Sequence, residues 1–110
     1  MKPLDLSLVN VLQEIVKERC EHFDREGFTN EQDDQYVNKQ LTGAALSYLI
    51  SSVISEGPIK EELKKGDPPE FWCWDKSWWK PTTQRRDLIK AASLIVAELQ
   101  RLDRQSKTDV

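Results

Sequence analysis

The chain has 110 residues, the size of one domain with a single modest core, which excludes a catalytic domain joined to a separate binding domain. Charged residues make up 32% and hydrophobic residues 38%, a globular balance too apolar for a disordered chain. The formal net charge of -3 repels polyphosphate, so duplex nucleic acid is an unfavourable partner unless basic residues are gathered on one face.

No run of apolar residues approaches the ~20 needed to span a bilayer, and the first residues lack the basic and apolar succession of a secretory signal. The expectation is a cytoplasmic protein with no membrane partner. Cys20 and Cys73 lie far apart and neither has a neighbour at metal-ligand spacing. In a reducing compartment Cys20 reads as a small core residue.

From Leu4 to about Arg25, the residues Leu8, Val11, Leu12, Ile15, Val16, Arg19, Cys20 and Phe23 recur at helical spacing. Asp5 or Ser7 can cap this helix, and Gly27 can end it by adopting a left-handed conformation. Phe28 to Asn38 has no periodicity and reads as an ordered loop or turn carrying Glu31, Asp33 and Asp34. A second helix is predicted over Asn38 to Ser55, with Leu41, Ala44, Ala45, Tyr48, Leu49, Ser52 and Val53 forming a stripe whose small members allow close approach.

Gly57 and Pro58 close that helix, and Ile59 to Lys65 can add a short helical turn. Gly66, Pro68 and Pro69 then impose an extended path, so residues 66–81 form a long connection of the kind that is functional or disordered. Four tryptophans and Phe71 argue against disorder. The last helix starts after Pro81, with Thr82 or Thr83 as cap and Asp87 complementing the helix dipole. Its stripe is Leu88, Ala91, Ala92, Ile95, Leu99 and Leu102. The expected fold is all-α, a small three- to four-helix domain over residues 1–104, with the aromatic-rich loop packed across the helices and residues 105–110 a flexible C-terminal tail.

The segment Phe71-Trp72-Cys73-Trp74-Asp75-Lys76-Ser77-Trp78-Trp79-Lys80-Pro81 is the most unusual stretch. One reading makes it a hydrophobic clasp over the bundle. The other leaves some indoles exposed beside Lys80, Arg85 and Arg86, giving a flat apolar face edged by cations. Purine stacking contributes on the order of 1 to 3 kcal/mol per base, and guanidinium groups bind phosphate oxygens. Arg85 and Arg86 fall in the first helical turn, where cations oppose the dipole, so an acidic partner or a bound phosphate would relieve a local conflict.

Asp33 and Asp34 can take ribose hydroxyls, hold a divalent metal with Glu31, or pair with the arginines. The sole histidine, His22, reads as a surface residue rather than a general base. There is no Ser-His-Asp or Cys-His arrangement and no glycine-rich phosphate loop, and Cys73 between two tryptophans is weak evidence for a nucleophile. No cofactor and no metal are implied.

Two stretches resemble a family of small phage and prophage proteins. The first runs from Glu18-Arg19 through Glu26-Gly27-Phe28-Thr29 to Asp33-Asp34. The second is Trp72-Cys73-Trp74-Asp75, Trp78-Trp79-Lys80-Pro81, Arg85-Arg86-Asp87-Leu88-Ile89-Lys90-Ala91 and Ala97-Glu98-Leu99-Gln100-Arg101-Leu102-Asp103-Arg104. That family shows histidines flanking the Asp-Asp pair, where this chain has Gln32 and Tyr36, and a tryptophan where it has Phe28. The layout is also distantly similar to the ryanodine-receptor repeat domain, some of whose members bind adenine nucleotides.

The resemblance implies a non-catalytic phage protein acting in the host bacterial cytoplasm. It would sequester a nucleotide immune signal of the cyclic ADP-ribose type, as an anti-defence sponge. The expected ligand-binding residues are Phe28, Asp33, Asp34, Tyr36, Trp72, Trp74, Trp79, Lys80, Arg85 and Arg86. Two alternatives stand beside this. One is a protein-protein inhibitor or adaptor anchored by exposed Trp and Arg. The other is a metal-dependent nucleotide pyrophosphohydrolase using Glu31, Asp33 and Asp34 with Glu14 or Glu18. The small-residue stripe of the second helix and the aromatics are also compatible with a homodimer that closes the pocket.

Overall fold

A computed structural model describes residues 3–26 and 39–108, and the side chains of these apart from 22–26 and 108. The predicted end of the first helix at Gly27 and the loop carrying Phe28, Glu31, Asp33, Asp34 and Tyr36 lie outside the described residues. So does the His22 side chain. The described residues are all-α, in the order α1 (Leu6–Glu26), α2 (Gln40–Val53), α3 (Pro58–Lys64), a single 3-10 turn (Lys76–Trp78) and α4 (Gln84–Thr108).

Each helix begins and ends for a local reason. Asp5, rather than Ser7, caps α1: its carboxylate accepts the amides of Ser7 at 2.9 Å and Leu8 at 3.3 Å. Helix α2 stops where Ile54 turns extended, and Pro58 then occupies the first turn of α3, where its missing amide costs nothing. Gly66, at φ +85°, closes α3 with paired back-bonds, Gly66 N–H to Leu63 C=O and Asp67 N–H to Glu62 C=O. Thr83 caps α4 by accepting from the Arg86 amide at 3.2 Å, and Asp87 reaches back to the Thr82 amide at 2.9 Å.

Helix α4 is the centre of the molecule, with α2 packed on one side and α1 on another. Helices α2 and α4 run antiparallel, since Thr42 bonds Glu98 and Ser51 bonds Asp87. Their interface is built from small residues: Ala44 and Ala45 face a core completed by Leu41, Tyr48, Ala91, Leu94, Ala97 and Trp79. Small side chains bring the two backbones close, which favours the alanine face of α4 over its bulkier one. Asp87 is only 2% exposed, and its bonds to Thr82 and Ser51 satisfy the carboxylate there.

This choice of face overturns part of the expected stripe. Ala91 is buried, but Leu88, Ile95, Leu99 and Leu102 point outward, 43% to 56% exposed. Leu49 and Val53 of α2 are likewise exposed. Among the described side chains of α1 only Glu18 and Arg19 are buried, with Phe23 of the expected stripe outside them; Leu8, Val11, Leu12, Val16 and Cys20 are exposed, so Cys20 is not the core residue its type suggests. Finally, α4 continues to Thr108, past Leu102 where the apolar spacing ends. Arg101 bonds Gln105 one turn on at 3.2 Å, a side-chain pair that helps to prolong the helix.

Candidate functional site

The tryptophan-rich strap crosses α2 at Gly43, where a Cβ would meet the Phe71 carbonyl oxygen at 2.5 Å, so only glycine permits this approach. Beyond that crossing the four indoles take different roles. Trp79 is buried, and its ring centroid lies 4.8 Å from Tyr48 and 5.1 Å from Trp72. Trp74 meets Trp72 edge-on at 5.3 Å. These four rings form one cluster continuous with the core, with Trp72 and Trp74 half-buried. Trp78 turns outward, and the Lys80 ammonium lies 5.8 Å from its ring centroid.

Side-chain bonds, to one another and to the backbone, fix the strap at both ends. Lys76 pairs with Asp67 at 2.6 Å, and Asp75 accepts the Ser77 amide at 2.8 Å; each bond holds its carboxyl below the usual carboxylate range. The Trp72 indole N–H donates to the Asp75 carbonyl at 3.1 Å. At the far end the Lys80 amide donates to the Tyr48 hydroxyl, and the Lys90 ammonium donates to the Lys80 carbonyl.

Arg85 and Arg86 project the other way, onto α1. Arg85 makes two bonds to the Glu14 carboxylate, at 2.7 and 3.1 Å, which hold Glu14 below its ordinary pKa and raise that of Arg85. Arg86 pairs with Glu18. The acidic partner foreseen for these arginines is therefore supplied by α1. A cleft of about 450 Å³ opens at this junction, lined by Glu14, Lys17, Glu18, Glu21 and Arg86. A second, apolar groove of about 200 Å³ lies between α3 and the strap, with Ile50, Ile59, Leu63, Pro68, Pro69 and Phe71 in its wall.

The expected site residues thus divide. Trp72, Trp74 and Trp79 come together, and Arg85 and Arg86 come together, but the first group packs with α2 whereas the second pairs with α1. Lys80 stands at the end of the first group. Phe28, Asp33, Asp34 and Tyr36 lie outside the described residues. Among the described residues no group of three His, Cys, Asp or Glu side chains is placed to hold a metal ion, and no helix is long and apolar enough to cross a membrane.

Two features take a role the sequence reading did not give them. Glu14 and Glu18, offered there as carboxylates for a metal-dependent reaction, pair with Arg85 and Arg86; with Glu21 they recur one turn apart on α1, a spacing that signals a common face but not what lies opposite it. The second is the outward apolar face of α4, visible as a stripe but assigned to the core. No protein-family model, curated protein or solved structure matches the chain.

Proposed function

We propose that this chain is a non-enzymatic protein-binding module that docks through the apolar faces of α1 and α4. The observation carrying this reading is an inversion of the usual burial pattern. The buried set is rich in alanine, while Leu8, Leu12, Leu88, Ile95, Leu99 and Leu102 stand in solvent. Fully burying a side chain of this size contributes roughly 1.5 to 3 kcal/mol, so a partner that covers the faces gains a large apolar driving force. The test is cross-linking of the purified chain to partner proteins, mapped by mass spectrometry. Cross-links centred on α1 and α4 that vanish in an Ile95→Glu, Leu99→Glu variant are expected; partners retained unchanged by that variant would refute the reading.

A second reading rests on the 450 Å³ cleft, which falls within the roughly 300 to 1,000 Å³ of small-molecule sites and brings Arg86 and Lys17 to the positive end of α4. Here the chain sequesters a nucleotide immune signal of the cyclic ADP-ribose type in the host bacterial cytoplasm, as the phage-family resemblance implies. Phosphate oxygens would compete with Glu14 and Glu18 for the two arginines, and Asp33 or Asp34 would take ribose hydroxyls. A rise in melting temperature with ADP-ribose derivatives or cyclic dinucleotides, lost in Arg86→Ala, is the expected result. No rise with any member of the panel removes this reading.

A further inference from the structure

Resting on the protein-binding reading, we infer that the partner of the α1 and α4 faces is a second copy of this chain, related by a two-fold axis, with α1 of each protomer laid along α4 of the other. The inference starts from how α1 sits. Glu18 and Arg19 are neighbours on α1, yet they bond Arg86 and Gln100, fourteen positions apart on α4. Helix α1 therefore crosses α4 rather than lying beside it. Among its described side chains the stretch around Ile15, Glu18 and Arg19 rests at the crossing, and the same face continues towards the N-terminus as Leu8, Val11 and Leu12 with no described residue covering it.

The uncovered half of α1 leaves α4 on the side of the exposed stripe. Glu14 is held by Arg85, and Arg85 stands seven residues before Ala92, on the same line of the helix. Leu88, Ala92, Ile95, Leu99 and Leu102 are spaced by alternating steps of four and three, the spacing of a helix-helix seam. This stripe is turned about 100° around α4 from the face that Asp87, Ala91 and Leu94 present to α2. At 1.5 Å per residue the stripe is about 21 Å long, and Leu6 to Val16 of α1 spans about 15 Å. Each protomer thus carries both halves of one contact, an overhanging apolar helix and a seam long enough to receive it. A two-fold pairing uses both halves twice.

Size supports the same conclusion. At the roughly 60 to 120 Å² implied for burying one aliphatic side chain, the exposed portions on α1 and α4 amount to about 300 to 550 Å² per copy. Two copies hide about 600 to 1,100 Å² of apolar surface, and with about 60% of an interface apolar the total is about 1,000 to 1,800 Å², a range that reaches the roughly 1,600 Å² of a standard specific complex. The Cα radius of gyration is 15.4 Å, against about 13 Å for a closed domain of this length.

The experiment measures the mass of the full chain by light scattering during size exclusion, for the wild type, Leu8→Glu, and Ile95→Glu with Leu99→Glu. The expected result is twice 12.8 kDa for the wild type and a monomer for both variants, with helical circular dichroism retained and dimer affinity weakened on the order of 100-fold or more. A monomeric wild type overturns the inference. If that monomer still yields cross-links to another protein that the double variant loses, the protein-binding reading survives without it. If instead the double variant unfolds a monomeric chain, another segment of the same chain covers the stripe and both fail. A dimer unaffected by either variant overturns the α1-on-α4 assignment.

Discussion

The two interfaces of α4 follow opposite physical rules. Against α2 it presents alanines, with Leu94 and a fully bonded Asp87, and the aromatic strap closes the contact from the side. Against α1 it presents arginines and Gln100 to glutamates and Arg19, with Ile89 buried, while Leu88, Ile95, Leu99 and Leu102 of α4 and Leu8, Leu12 and Val16 of α1 remain outside. Close packing makes the first contact insensitive to solvent and intolerant of added volume. The second is oriented by charge and leaves apolar surface for other use. A domain can thus keep a stable half and an associating half on one helix.

The largest effect should come from the strap that seals the α2 side. Trp79→Ala removes a buried indole touching Tyr48 and Trp72, and a loss of about 3 to 5 kcal/mol in chemical denaturation is expected. Trp79→Phe should cost less, because the Trp79 indole nitrogen has no hydrogen-bond partner among the described residues. Next comes Gly43→Ala. Its Cβ would strike the Phe71 carbonyl at 2.5 Å, and backbone cannot swing aside as a side chain does, so about 1 to 3 kcal/mol should be lost and Trp fluorescence should shift as the strap lifts. Stability unchanged by either substitution would mean that the strap is an ornament and that the α2 contact stands without it.

Asp87→Ala tests the polar edge of the same interface. It leaves the Thr82 amide and Ser51 hydroxyl without their acceptor and should cost about 1 to 3 kcal/mol, read as a lower denaturation midpoint. Asp87→Asn, which keeps one acceptor oxygen, should recover part of that loss.

The contrast between the two faces also explains what the sequence could reveal. Helix positions follow from spacing and from Gly57-Pro58, Gly66 and Pro68-Pro69, because those signals are local. The rotation of α4 does not follow. Its Leu88, Ile95, Leu99 and Leu102 form the more apolar stripe, but α2 brings Ala44 and Ala45 near its backbone, and close approach selects the alanine side instead. The conflict of Arg85 and Arg86 with the helix dipole was legible as a need for negative charge. That Glu14 and Glu18 meet it, rather than Asp87, the acidic loop or a phosphate, depends on where α1 crosses. Likewise the tryptophans announce a special segment, and only the fold shows that Trp72 and Trp79 turn to Tyr48 while Trp74 packs on Trp72.

The smallest expected effect is on the α1 side, and its sign separates the two interfaces most cleanly. The Arg85 bond lowers the folded-state pKa of Glu14, so the ionised carboxylate is favoured by folding. Such a group stabilises above its unfolded value of about 4.3 and loses that contribution as pH falls through the lower, folded value. Asp67 and Asp75 have the same sign through Lys76 and the Ser77 amide. All three are exposed and screened, so acidification should lower the melting temperature gradually rather than abruptly. Glu14→Gln should be slightly less stable than the wild type at pH 7, and the difference should shrink as pH falls through the lowered folded value and the wild-type carboxylate is itself protonated. Added salt should shrink the same difference at neutral pH while leaving the penalty of Gly43→Ala unchanged, because ions screen the α1 contact and cannot relieve a steric one. If the Gly43→Ala penalty were the one to fade in salt or acid, the α2 contact would have to be electrostatic, and the division of labour along α4 would be reversed.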